Sequence, residues 1–222
     1  MIIAIDGPAG SGKSTTAKIV ANKLGFVYID TGAMYRAVTY YALKNNLLGN
    51  KNQLIKKIKE LKINLSFNNN LTKVFLNDKD ITDYLRTKEV NDYVSEISKI
   101  PEIRKELVAK QRYFAENNNV VMEGRDIGTV VFPDADIKFF LVASIEERTK
   151  RRAKEFINKG ENISFKQIEE NLKQRDEIDS TRESSPLVKA NDAIEIDTTN
   201  LTIEEQVNLI LIEIEKKFLL KN

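Results

Sequence analysis

The stretch Gly7-Pro8-Ala9-Gly10-Ser11-Gly12-Lys13-Ser14-Thr15 fixes how the rest of the chain must be arranged. Four residues separate Gly7 from Gly12, and Lys13 and Ser14 follow directly. The apolar, β-branched run Ile2-Ile3-Ala4-Ile5 enters it. Ala17, Val20, Ala21 and Leu24 leave it at helical spacing, with Gly25 where a helix stops. Strand, glycine loop and helix in that order make a phosphate cradle. The glycines let backbone N–H groups converge on an anion, and the helix starting near Lys13 adds its positive dipole end. Lys13 is then within reach of the β and γ phosphates of a nucleoside triphosphate, and the Ser14 hydroxyl falls on a magnesium ion. A turn that only caps a helix would not need three glycines, a lysine and two hydroxyls at these positions. A dinucleotide fingerprint is disfavoured because Thr15 stands where its third glycine belongs.

Outward from this P-loop, further short apolar runs predict strands at Phe26 to Ile29, Val120 to Met122, Ile137 to Val142 and Ala193 to Ile196. Helical patterns lie between and after them, including Thr202 to Leu219. The expected fold is α/β: a three-layer P-loop core with about five parallel strands. The interval between the second and third strands is too long for a simple crossover. Leu61 to Phe67 and Lys73 to Leu76 alternate like a hairpin about an Asn68-Asn69-Asn70 turn, and helical patterns follow near 89–98 and 101–116. We expect a core of residues 1–59 and 116–222 with an inserted lobe at 60–115. The basic, polar stretch Arg148 to Ile163 is a second, shorter insertion, and Arg148, Arg151 and Arg152 are its candidate phosphate contacts.

The composition narrows the chemistry. The chain has 222 residues, 35 Lys plus Arg, 33 Asp plus Glu, and no His, Cys or Trp. That excludes a Ser-His-Asp triad, a thiolate nucleophile, a zinc ribbon and imidazole metal ligands. Catalysis must run on carboxylates, lysine, arginine, hydroxyls, backbone amides and a hard metal ion held by oxygen. A net charge of +2 spread along the chain is too weak a field to attract nucleic acid or an anionic membrane. No apolar run approaches the roughly 18 residues of a spanning helix, and Met1 to Asp6 is too short for a signal-peptide core. A cytoplasmic location is expected.

A bound triphosphate leaves open what receives the phosphoryl group. The guanine-reading Asn-Lys-x-Asp segment of a GTPase is absent; Asn158-Lys159-Gly160-Glu161 is the nearest approach. A small-molecule kinase needs arginines to clamp a second anion, and three segments supply them. Asp30-Thr31-Gly32-Ala33-Met34-Tyr35-Arg36 starts at the end of the second strand. Glu123-Gly124-Arg125-Asp126-Ile127-Gly128 leaves the third strand at the same edge, where open α/β sheets bind ligands. Arg175, Asp179 and Arg182 fall at i, i+4 and i+7, which predicts one helix face. Each segment taken alone is also compatible with an ordinary solvated ion pair. Their convergence on the edge fixed by the P-loop favours a phosphate clamp, because guanidinium forks suit phosphate oxygens. A kinase for another small acceptor, such as UMP or a polyol, a nucleotide-binding regulator and a nucleic-acid ATPase remain as alternatives.

The segments IAIDGPAGSGKST, YIDTGAMYRA, EGRDIGTVVFPDADIKFFL, ERTKRR, RDEIDSTRESSPL and IDTTNLTIEEQV together resemble the bacterial cytidylate kinases, a branch of the P-loop nucleoside monophosphate kinases. The resemblance runs nearly end to end, and EGRDIGTVVFPDA with DTGAMYR is its most specific part. It implies an inserted lobe that binds the monophosphate, a short lid, and transfer of the γ-phosphoryl group of ATP to CMP or dCMP with Mg2+. By motif position it implies that Thr31 lies near the cytosine and that Arg36 and Arg125 hold the CMP phosphate. Asp126 would meet the cytosine amino edge, Ser95 and Arg104, either side of Pro101, would contact the base, and Asp179 would hold the sugar hydroxyls. Arg175 and Arg182 would lie over the transferring phosphate, and Gly7 through Thr15 with Arg151 would bind ATP. Two positions depart from the family: Ile178 replaces a residue that is often basic, and Glu123, the expected partner behind the magnesium, replaces a frequent Asp. The resemblance implies small-molecule partners only, and a monomer.

Overall fold

The computed structural model describes residues 1–68, 71–158, 160 and 163–219. Its frame is a five-stranded parallel sheet of β1 (Ile2–Asp6), β2 (Val27–Asp30), β6 (Val120–Gly124), β7 (Ile137–Val142) and β8 (Ile194–Asp197), in the order β2-β6-β1-β7-β8. The central strand is buried on both faces, which is why it reads as a continuous apolar run. Alternate side chains serve opposite layers. Ile3, Ile5, Val121 and Phe139 pack with Val20 and Ala21 of α1 (Lys13–Leu24) and with Ile210 and Ile214 of α8 (Ile203–Leu219). Ala4, Val120, Met122 and Ile29 pack on the other side against Ala115, Ile127 and Val131.

Register sets the functional edge. Asp6 pairs with Gly124, and Asp30 pairs with Glu123, so the carboxyl ends of three neighbouring strands lie at one level. The observed β6 runs two residues past the predicted strand, to Gly124, because Glu123 and Gly124 still pair with β1. The strand expected from Ala193 starts at Ile194.

After β2 come α2 (Thr31–Lys44) and α3 (Lys51–Ile58), then an antiparallel sheet of β3 (Ile63–Asn68), β4 (Leu71–Leu76) and β5 (Lys79–Asp80), then α4 (Lys88–Ser98) and α5 (Pro101–Ala115). The hairpin expected from alternation is present, and positions 69 and 70 of its Asn turn lie outside the described residues. Val74, Ile81, Val94 and Leu107 share an apolar cluster with Met34, Tyr35 and Val38 of α2. The small sheet therefore stands on the helix that leads out of β2.

The polar stretch from Arg148 falls mostly in α6 (Ile145–Asn158), which continues directly from β7; residues 159, 161 and 162 of the expected lid lie outside the described residues. A capping box, in which Ser164 and Gln167 bond each other's backbone N–H, starts α7 (Phe165–Thr181). That helix stops at Thr181, so Arg182 is its extended C-cap and not a third position on the helix face. The side chain of Arg182 turns back into the protein and donates through Nε to the Ser185 carbonyl at 2.7 Å. Among the described residues no helix is long and apolar enough to cross a membrane.

Candidate active site

Gly7 and Gly12 show why the loop requires glycine. Both have positive φ, 147° and 89°, and a Cβ on Gly7 would collide with the carbonyl oxygen of Leu141. Gly12 is the N-cap of α1 and offers no side-chain cap, so no side chain competes for the first-turn N–H groups. Ala9, Gly10, Gly12, Lys13, Ser14 and Thr15 line a cleft of about 950 Å³, with Gly7, Pro8 and Ser11 behind them shaping the loop.

Lys13 is buried and donates to the Pro8 carbonyl at 2.7 Å. Burial, and then the nearby Arg125 guanidinium, push its ammonium down to about 7. A nucleotide phosphate would restore the charged form, so binding should draw a proton from solvent above pH 7. Calorimetry of ADP binding at pH 8 in buffers of differing ionisation enthalpy is expected to show net proton uptake. Lys13→Met should remove most of it; equal uptake by parent and variant would contradict this.

Asp6 explains the placement of the next loop. Its carboxylate accepts from the Ile127 and Gly128 N–H groups at 2.9 and 2.7 Å. Burial nevertheless raises its carboxyl to about 6. These bonds pin the π-helical turn Ile127–Val131, which directly follows Arg125 and Asp126 of the cleft lining.

On the P-loop side, the Ser14 hydroxyl donates to Glu123 Oε1 at 2.6 Å and the Tyr28 hydroxyl to the same oxygen at 3.3 Å. Thr31 Oγ1 donates to the Glu123 carbonyl at 2.8 Å. Glu123 is only 4% exposed, and burial, then the Asp30 charge, raise its carboxyl above the ordinary value. Such a carboxylate suits a nearby cation. Among the described residues no group of three acidic side chains could hold an ion unaided. Hard oxygens from Ser14 and Glu123 beside a phosphate cradle therefore fit magnesium, which takes one or two protein oxygens plus phosphates and water.

Opposite Lys13, arginines crowd together. Arg125 Nε donates to Asp179 Oδ2 at 2.8 Å, and Arg182 reaches Asp179 Oδ1 at 3.4 Å. Burial alone would raise the Asp179 carboxyl, but Arg125 and Arg182 outweigh it and hold the group below its ordinary range. Arg175 and Arg36 are less well matched. Among the described residues the buried Nε of each lacks a hydrogen-bond partner, and Arg36 lies 3.9 Å from its Asp30 partner. Burial, then Arg125 and Arg36, lower the Arg175 guanidinium to about 9. Cations held this close against their own repulsion make a site for an anion.

Further from the loop, Arg104 is 2% exposed, bonds Asp126 Oδ2 at 2.5 Å and the Ser98 carbonyl at 3.1 Å, and lies 5.1 Å from the Tyr35 ring centroid. Ser95, Val74 and Leu85 line the same cleft. The structure thus brings Thr31, Arg36, Ser95, Arg104, Glu123, Arg125, Asp126, Arg175, Asp179 and Arg182 to the cleft that the P-loop opens. Of the three α6 arginines, Arg151 and Arg152 line it. Arg148 instead braces the loop, bonding Asp176 and the Ala9 carbonyl. Ile178 is half-buried and outside the lining.

Sequence patterns missed four contributors. Arg86 reaches Asp30 Oδ2 at 3.6 Å from the inserted segment. Gln206 accepts from Thr16 Oγ1 at 2.9 Å and donates to the Leu201 carbonyl at 3.1 Å, bracing the start of α1. Tyr35 lies under Arg104. Tyr28 precedes Asp30 by two on one strand, so period-two alternation was the available signal for it.

A family model described as cytidylate kinase matches residues 3–216. The chain is 51% identical over 216 residues to a cytidylate kinase of Fusobacterium nucleatum subsp. nucleatum, covering 97% of this chain and 98% of that one. It is 51% identical over 210 residues to a cytidylate kinase of Bacillus thuringiensis strain Al Hakam, with 94% and 93% covered. A crystal structure of an uncharacterized protein from Eubacterium ventriosum shares its fold, with a TM-score of 0.53 at 16% identity and 97% and 98% coverage.

Proposed function

The chain belongs to the cytidylate kinase family, and on that premise we propose how its cleft transfers a phosphoryl group from ATP to CMP or dCMP. One observation carries the assignment of roles: the poorly neutralised Arg36 and Arg175 share one cleft with Arg125 and the P-loop lysine. The P-loop amides and Lys13 hold the β and γ phosphates of ATP, and Arg151 lies along the same nucleotide. Arg36 and Arg125 hold the CMP phosphate, and Arg175 and Arg182 neutralise the phosphoryl group in transit. Ser14, backed by Glu123, would hold Mg2+, which when bound supplies charge neutralisation on the β and γ oxygens.

An oxygen of the CMP phosphate bonds to the γ phosphorus as the bond from that phosphorus to the β–γ bridging oxygen breaks, leaving CDP and ADP. That oxygen is already ionised near neutral pH, so no general base is required. The chain's task is alignment and exclusion of water. Asp179 orients the sugar hydroxyls. Ser95, Arg104 and Asp126 read the base. The Asp126 carboxylate has acceptor capacity beyond its Arg104 bond, which suits the exocyclic amine of cytosine. Thr31 already donates its proton to Glu123, so its oxygen meets the base as an acceptor. Residues 60–115 act as a monophosphate-binding lobe on a core of 1–59 and 116–222, and about 148–163 acts as a lid. A cytoplasmic monomer acting on small molecules, without nucleic acid or membrane, completes this reading, which the +2 net charge supports.

Turnover of ATP with CMP, dCMP, UMP and AMP tests the assignment. The parent should prefer the cytidine acceptors. Asp126→Asn should narrow the CMP-to-UMP ratio in kcat/KM by at least about tenfold, because an amide can donate to the uracil carbonyl. An unchanged ratio would move base reading to Ser95 and Arg104.

A further inference from the structure

The P-loop serine and the strand-end glutamate leave one neighbour unexplained. Tyr28 sits on β2 two residues before Asp30, which pairs with Glu123 across the β2–β6 register. Alternation puts all three side chains on one face. The ring of Tyr28 packs against the apolar cluster of β1 and α1, while its hydroxyl donates to Glu123 Oε1 at 3.3 Å. Ser14 donates to the same oxygen at 2.6 Å. Glutamate carries one more rotatable bond than aspartate, so one hydrogen bond from a loop serine leaves its carboxylate free to swing. A second donor on a packed ring fixes it.

We propose that Tyr28 is a positioning residue for the metal-bound nucleotide: its hydroxyl holds the Glu123 carboxylate against Ser14, and so sets the oxygen donors that receive Mg2+. The inference rests on the magnesium assignment made above for Ser14 and Glu123. Tyr28 touches neither CMP nor the transferring phosphate in this role. Its loss should therefore appear in the magnesium dependence of nucleotide binding and nowhere else.

The test is calorimetry of ADP binding to the full chain, in EDTA and in saturating Mg2+, for the parent and Tyr28→Phe. The parent gains affinity from Mg2+. Tyr28→Phe should lose about three- to tenfold of that gain, with affinity in EDTA and affinity for CMP within about twofold of the parent. Tyr28→Leu, which removes ring and hydroxyl together, should lose at least as much and serves if the phenylalanine variant does not fold. In a Glu123→Asp background the shorter carboxylate withdraws from the phenol, so Tyr28→Phe should add no further loss. An undiminished magnesium gain, an equal loss in EDTA and in Mg2+, or the same loss in both backgrounds would each overturn the proposal. A parent that forms CDP but gains no ADP affinity from Mg2+ would overturn it together with the magnesium assignment. A parent that forms no CDP would instead sink the functional reading itself.

Discussion

Lys13→Ala should abolish most transfer while the protein stays folded, lowering kcat/KM for CMP phosphorylation by about 10³-fold or more. The side chain is buried at the base of the P-loop, and among the described residues its ammonium bonds only the Pro8 carbonyl and, weakly, Ser11 Oγ. Burial opposes its charge, with Arg125 adding to the effect. Removing the charge therefore relieves an unfavourable term in the empty protein. What disappears, on the proposed role, is the cation that meets the β and γ oxygens when charge builds on them. Lys13→Arg should not rescue, because a fork at the Lys13 position needs space that the Pro8 carbonyl occupies. Thermal melts and steady-state turnover with CMP check both halves; near-parent turnover in the alanine variant would refute the role.

Arg175→Met should separate stability from activity in opposite directions. The Arg175 guanidinium is buried beside other guanidinium groups, and among the described residues its Nε lacks a partner. Replacing such a group by an apolar side chain of similar length should stabilise the empty protein by about 1–2 kcal/mol, a rise in Tm of about 3–6 °C. The same change removes the charge proposed to neutralise the phosphoryl group in transit, so kcat should fall about 10²- to 10³-fold. A variant that lost both stability and activity would show that Arg175 holds the fold. One that kept its activity would show that Arg125 and Arg182 suffice.

Much of this arrangement was legible in the chain before its fold was known, for reasons visible in particular residues. A strand buried on both faces must be apolar throughout, so Ile2 to Ile5 declared itself, and the glycines of the loop were needed for φ values that other residues avoid. The strand-end segments were legible because Asp30-Thr31 and Glu123-Gly124-Arg125 follow apolar runs directly. Arg182 was harder. Its spacing from Arg175 fits a helix, but α7 ends one residue earlier and the side chain reaches Asp179 from an extended backbone. The α6 arginines looked alike in sequence, yet Arg148 turns inward to Asp176 while Arg151 and Arg152 face the cleft. Such differences depend on neighbours brought from far along the chain. Arg86 meeting Asp30 and Gln206 meeting Thr16 are of the same kind; no local pattern encodes them.

The most direct measurement follows the γ-phosphoryl group itself. The purified protein is mixed with ATP labelled at the γ phosphate, Mg2+ and CMP, and label is counted in CDP, in inorganic phosphate and on the denatured protein. Direct transfer across one cleft predicts label passing from ATP to CDP one for one, with no CMP-independent release and none retained on the chain. Label appearing as inorganic phosphate at a rate indifferent to CMP, or trapped on the protein before CDP forms, would contradict it.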